Sequence, residues 1–203
     1  MMQVQKEFIK AEITRVAKKE FLSKGFQKAS LREIAKEVGA TTGIIYTYFK
    51  NKDELFKEVV DPALEFAKHR FHDLQDLEVF KRDLSLGIVS DTEDSYFPFT
   101  SIVENFRDEL FLLMYRSAGS QFDAHFDKLI EMKSIQYYNN LEKMRKSGAK
   151  LKMQISPHFL RIPVKLIFAI IGEMVYKNMT REELIEYERK ALPFLRNAWS
   201  SIF

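Results

Sequence analysis

The chain contains no cysteine. Disulfides, thiolate metal centres and cysteine nucleophiles are thereby excluded, and the composition is compatible with a reducing cytoplasm. Glycine is scarce, with seven dispersed residues, so no glycine loop is available to cradle a phosphate. Serine, histidine and aspartate occur, but no spacing resembles a nucleophile elbow. The N-terminus is polar and lacks the apolar stretch of a signal peptide. The strongly apolar run Leu166–Ile171 is far short of the roughly 20 residues of a membrane span. His69 and His72 stand three apart with Asp73 and Asp76 nearby, yet no strong third ligand completes a metal site. The expectation is a cytoplasmic chain that is not an enzyme and uses no metal or cofactor.

Acidic charge is also missing from one place. Between Val38 and Lys52 there is no aspartate or glutamate. Residues 1–52 carry eleven lysines and arginines against five glutamates, whereas residues 53–203 carry twenty-one against twenty-four acids. The net charge of +3 is therefore the sum of a basic first quarter and a slightly acidic remainder. A basic segment of this kind is the electrostatic footprint of nucleic-acid binding.

What is present in that quarter has a defined layout. Ser30 suits an N-cap, and Glu33 three residues later makes a capping box. Leu31, Ile34, Ala35 and Val38 form one apolar face at helical spacing. Gly39 can take the left-handed conformation that a sharp turn needs. Thr41 or Thr42 can cap a second short helix whose inward face is Ile45, Tyr48 and Phe49. Two short helices joined by a tight turn are a helix-turn-helix. The outward residues Thr41, Thr42, Gly43, Ile44, Tyr46 and Thr47 are short, hydroxylated or flat. Hydroxyls and backbone N–H groups can bond phosphates, and threonine methyls can touch the thymine methyl. Asn51 caps a third helix, with Glu54 three residues on, and Lys50 and Lys52 lie at its positive end, where a phosphate is favoured.

These residues carry a resemblance. From Ala29 the chain reads ASLREIAKEVGATTGIIYTYFKNKDELF, preceded by Ala17, Glu20, Phe21, Gly25 and Phe26 at matching spacing. The segment resembles the DNA-binding domain of the TetR family of bacterial transcriptional regulators, over about the first quarter of the chain. The resemblance implies that Thr41, Thr42 and Gly43 approach bases or phosphates, and that Tyr46, Tyr48 and Lys52 contact the phosphate backbone. Tyr48 stands where the family often has histidine, and its phenol can donate the same hydrogen bond. Ile44 is more apolar than a typical base-reading residue and suits a methyl or a sugar. The candidate DNA contacts are Ser30, Arg32, Thr41, Thr42, Gly43, Ile44, Tyr46, Thr47, Tyr48, Lys50 and Lys52.

The rest of the chain reads as helix throughout. Residues 4–23 are amphipathic and end at Gly25. From Asn51 a helix runs to about Asp73, with Asp61-Pro62 either a hinge within it or a boundary between two helices. Helical turns from Leu74, a polar loop over Ser90–Ser95, and helices over 98–117, 120–147, 156–176 and 180 onward complete the pattern, the last opened by a capping box at Thr180–Glu183. The fold expected is all-α. An N-terminal three-helix domain with a helix-turn-helix (1–50) precedes a larger helical effector-binding and dimerisation domain (51–203). The last two helices are apolar on more than one side. The resemblance implies that they pair with a second copy, setting two reading helices about 34–36 Å apart on a palindromic operator in double-stranded DNA.

The middle of the chain is rich in aromatics and methionine, and a helical bundle can leave an apolar cavity there. The candidate ligand contacts are Phe106, Met114, Arg116, Gln121, Phe122, His125, Phe126 and Phe168. The ligand expected is small and largely apolar. The favoured reading is a homodimeric repressor released from DNA by such an effector. The alternatives are a regulator governed by a protein partner, or a helical binding module for an apolar molecule without ligand-controlled DNA release.

Overall fold

A computed structural model describes the backbone of residues 2–73 and 98–202, and the side chains of residues 5–68 and 99–202. The expectations for residues 74–97, and for the side chains of His69, His72, Asp73 and Asp76, lie outside that set. The described residues form eight α-helices and no strand. They are α1 (Met2–Lys28), α2 (Leu31–Val38), α3 (Thr42–Tyr48), α4 (Lys52–Asp73), α5 (Pro98–Phe111), α6 (His125–Lys146), α7 (Pro157–Tyr176) and α8 (Arg181–Ser200). A π-helical turn, Leu112–Arg116, follows α5. The all-helical expectation holds.

The chain forms two compact units, Met1–Phe66 with Asp108–His125, and Ala67–Arg107 with Phe126–Phe203. In the first, α1 buries Ile13, Val16, Ala17 and Phe21, the period predicted for it. Gly25 interrupts the helix at φ 73° and ψ 164°, a conformation that favours glycine, and a last turn follows to Lys28. That turn brings Phe26 to Phe21 and Phe56, with ring centroids 6.0 and 5.3 Å apart, and Phe56 meets Phe21 edge-on at 4.9 Å. Aromatic pairs in this geometry add about 0.5–1.5 kcal/mol beyond their buried area.

α4 runs through Pro62 as one helix, so no helix boundary falls at Asp61. The proline ring is exposed, while Val59, Val60, Ala63 and Leu64 around it are buried. An exposed proline removes one N–H on the solvent side, and burial of the opposite face holds the helix together. Lys18 of α1 donates to Glu109 at 2.9 Å and pairs with Asp108 at 3.0 Å, which ties α1 to the end of α5 within the same unit.

The second unit is built on α6, α7 and α8. Ile130, Tyr137, Leu141, Leu160, Val164, Trp199 and Ile202 form its core, with Tyr137 edge-on to Trp199 at 5.3 Å. Its caps are those expected: the Ser156 hydroxyl accepts from Phe159 N–H at 3.1 Å, and Thr180 and Glu183 form the reciprocal box. Pro163 sits buried inside α7 without ending it. The helix expected from residue 120 begins at His125, because Ser117–Ala124 fold into turns. Buried Glu188 of α8 accepts hydrogen bonds from Phe99 N–H (3.1 Å) and Thr100 N–H (2.8 Å), satisfying two first-turn donors of α5.

Candidate nucleic-acid interface

The helix-turn-helix is fixed by its caps. Ser30 Oγ accepts from Glu33 N–H at a long 3.5 Å, and Ser30 N–H donates to Glu20 of α1 at 3.1 Å. The reciprocal half of the expected capping box is thus supplied by another helix rather than by Glu33. Gly39 ends α2 at φ 75° and ψ 28°, with its N–H bonded back to Lys36 and the Ala40 N–H to Ala35. That left-handed residue turns the chain into α3. Thr41 is the N-cap residue of α3, but its side chain makes no capping bond.

α3 has two unlike faces. Ile45 and, just past the helix, Phe49 are fully buried, as are Ile34 and Ala35 of α2. Ile44 is 40% exposed and Tyr46 56%. Gly43 and Thr47 are also exposed; Thr42 and Tyr48 are half-buried. The Thr47 hydroxyl donates to the Ile44 carbonyl at 2.7 Å. Arg32 and Lys50 are exposed, and Ser30 is half-buried. The structure therefore brings Thr41, Thr42, Gly43, Ile44, Tyr46 and Thr47 together on one short helix.

Lys52 is placed differently from a solvent-facing cation. Its ammonium donates to the Gln27 and Ala29 carbonyls at 3.2 and 3.1 Å and lies 4.5 Å from the centre of the Phe26 ring. It locks the end of α1 to the start of α4. An ammonium has three donors, so one remains beyond the two carbonyls. The positive end of α4 is already supplied with anions. Asn51 Oδ1 accepts from Glu54 N–H at 2.8 Å, Glu54 accepts from Lys50 N–H, and Asp53 accepts from Gln121 N–H at 2.7 Å.

The nearby carboxylates are also engaged. Glu20 pairs with Lys24 at 2.9 Å, and the hydrogen bond holds the Lys24 ammonium above its usual range. Glu37 faces Lys19 at 3.8 Å and Glu58 pairs with Lys10. The Glu20 bond to Ser30, the Gln121 bond to Asp53 and the tethering of Lys52 have no signature in sequence, since each joins residues ten or more positions apart.

The eight candidate ligand residues divide between the units. Met114, Arg116, Gln121, Phe122 and His125 belong to the first, and Phe106, Phe126 and Phe168 to the second. Phe122 stands 6.0 Å from Phe56 and 5.8 Å from His125, so it extends the aromatic core of the first unit. The Arg116 guanidinium lies over Phe111 at 5.5 Å. Phe126 packs edge-on against Phe168 at 5.4 Å, and Phe106 is a non-helical residue inside α5. Among the described residues, no group of three or more histidines or carboxylates is arranged to hold a metal, and no helix is long and apolar enough to cross a membrane.

A sequence model for bacterial regulatory proteins of the tetR family matches residues 13–59, which span α1 to the first half of α4. Residues 13–59 are thus similar in sequence to the tetR family. Over 55 residues the chain is 33% identical to an uncharacterized HTH-type transcriptional regulator, YfiR, of Bacillus subtilis. That match covers 27% of this chain and 27% of YfiR, so only about a quarter of the relative's length is spanned.

Likeness of fold extends much further than likeness of sequence. NalD, the secondary repressor of the MexAB-OprM multidrug efflux pump in Pseudomonas aeruginosa, superposes with a TM-score of 0.58 at 19% identity, covering 97% of this chain and 98% of that one. FadR, a transcriptional regulator from Bacillus subtilis solved in complex with stearoyl-CoA, does so with 0.56 at 18% identity, covering 95% and 99%. The helix-turn-helix is followed here by a larger helical region, and the chain shares its fold with these two proteins.

Proposed function

We propose that the protein is a DNA-binding transcriptional regulator whose α3 enters the major groove, acting as a homodimeric repressor released by a small, largely apolar effector. The observation that carries this is α3 itself. An uncharged helix exposes Ile44 and Tyr46 beside a basic first quarter, while its inner residues Ile45 and Phe49 are fully buried. A helix that merely faced water would carry mixed charge; one that meets a polyanion gains from carrying no acids. The tetR-family match over residues 13–59 supports the same reading.

The division of labour is functional. Residues 1–50 carry the DNA contacts apart from Lys52, and residues 51–203 the effector and dimer surfaces, while the compact unit around the helix-turn-helix also draws in residues up to 66 and 108–125. Ser30, Arg32, Thr41, Thr42, Gly43, Tyr46, Tyr48, Lys50 and Lys52 are the proposed contacts to phosphates and bases, with Ile44 and Thr47 between them. Lys52 acts mainly by holding the frame, offering its remaining donor to a phosphate. For the dimer, α7 and α8 expose Ile162 (65%), Tyr176 (60%) and Phe194 (70%), apolar area that a second copy would bury. For the effector, Phe126 and Phe168 in the second unit are the aromatic candidates, and another protein of this fold was solved with stearoyl-CoA. A ligand releases DNA only through its difference in affinity for the two states.

The test is duplex selection from a random pool, followed by affinity measured against salt. A palindromic site, with affinity falling steeply between about 50 and 200 mM salt, is the expected result. Tyr46→Ala weakens binding to all duplexes, whereas Thr42→Ala changes the preferred sequence. A salt-independent interaction, or no duplex enriched at all, overturns the reading.

A further inference from the structure

We infer that α3 reads thymine through its 5-methyl group, so that this helix discriminates by apolar contact rather than by hydrogen bonds to guanine or adenine. The inference rests on the reading that α3 enters the major groove, and deepens it. The side chains that read guanine in a bidentate manner are arginine and lysine, and those that read adenine are asparagine and glutamine. None of the four occurs from Thr41 to Phe49. The first such residues beyond are Lys50 and Asn51, and the Asn51 side chain is engaged by Glu54 N–H at 2.8 Å.

Thr47 is exposed, but its single O–H proton is donated to the Ile44 carbonyl at 2.7 Å. It therefore offers a methyl and no hydroxyl donor. Ile44, one turn earlier, is 40% exposed although its neighbour Ile45 is fully buried, so its methyls are not needed by the core. Residues three apart on a helix share a face. Ile44 and Thr47 thus make an apolar strip, with exposed Gly43 beside Thr47. The thymine 5-methyl is the apolar group that a base pair presents in the major groove. The phosphates would hold the protein through the basic surplus of residues 1–52, leaving the strip to discriminate.

The experiment uses the full chain and the duplex that selection returns. Each thymine is replaced singly by deoxyuridine, which removes the methyl and nothing else, and the dissociation constant is measured at one fixed salt concentration. The expected result is a loss of about three- to fivefold at one or two thymines per half-site, the size of one buried methyl. Ile44→Ala binds the thymine duplex more weakly, and its thymine-to-uracil affinity ratio at the same position falls towards one. Because Ile44 is 40% exposed, this variant keeps the parent's far-UV circular dichroism.

Equal affinity for thymine and uracil duplexes at every position overturns the inference while leaving the DNA-binding reading intact. So does an Ile44→Ala variant that loses the same factor on both duplexes, or a selected half-site whose essential positions are guanines. Failure to enrich any duplex removes the reading on which the inference rests, and the inference with it.

Discussion

Among residues 5–68 every fully buried side chain is apolar: Ile13, Val16, Phe21, Ile34, Ile45, Phe49 and Phe56 are typical. The second unit is built otherwise. Thr100, Lys133, Ser134, Asn140 and Glu188 are all buried there, within or beside its apolar core. The helices of residues 5–66 leave polar chemistry on the outside, where an external partner can meet it, and residues 108–125 add the buried Glu109 and Ser117 to this unit. The second carries polar atoms inward, where each needs a hydrogen-bond partner, as Ser134 finds in the Ile130 carbonyl and Glu188 in the Phe99 and Thr100 N–H groups. A largely apolar core depends mostly on shape and volume. A core with buried carboxylate and ammonium depends also on pH and on particular hydrogen bonds.

The largest expected effect tests the aromatic side of that contrast. Phe56 is fully buried and touches Phe21, Phe26 and Phe122. Phe56→Ala should destabilise the first unit by about 3–5 kcal/mol. Urea unfolding followed by circular dichroism should then begin well below the parent's midpoint. Trp199, the one tryptophan, sits in the second unit and should report a later transition. A loss under about 1 kcal/mol would mean that the aromatic cluster is not what holds the helix-turn-helix.

Glu188 tests the other side. Glu188→Ala leaves the Phe99 and Thr100 N–H groups without their acceptor, which should remove about 2–4 kcal/mol as read by Trp199 fluorescence in urea. Burial also holds the Glu188 carboxyl above its ordinary value of 4.5. The folded chain then binds that proton more tightly than the unfolded chain, so this stabilisation is present below about 4.5 and fades as pH rises through the higher native value. Glu188→Gln should flatten that slope.

Two smaller effects sharpen the comparison. Burial lowers the Lys133 ammonium from 10.5 to about 8. The unfolded chain holds this proton more tightly, so stability should rise between pH 8 and 10.5, and Lys133→Met should abolish the rise in the urea midpoint. Ser30→Ala should cost the least, about 0.5–1 kcal/mol, since its bond to Glu33 is long and Glu20 still holds the Ser30 N–H.

The fold was legible where structure is local. Periodic apolar residues placed the helices, Gly25 and Gly39 marked two breaks, and Ser156 and Thr180 announced their caps. The outward face of α3 was also readable, because burial of Ile45 and Phe49 fixes where Ile44 and Tyr46 point. Elsewhere local rules fell short. Asp61-Pro62 left a hinge and a boundary equally open, and the structure shows one continuous helix there, since packing outweighs a single lost hydrogen bond. Lys52 read as a free cation until the carbonyls of Gln27 and Ala29 came within its reach.

The order of residues alone determined that this chain is helical, that its first quarter is basic, and that one short helix within it carries no charge. Those properties follow from composition and spacing, which act over a few residues. Folding decided which donors are already engaged: Thr47 by the turn before it, Ser30 by α1, Lys52 by two carbonyls, and α5 by a glutamate almost ninety residues away. A hydrogen bond needs atoms within about 3 Å of each other, and for groups that far apart in the chain only the packed structure brings them so close.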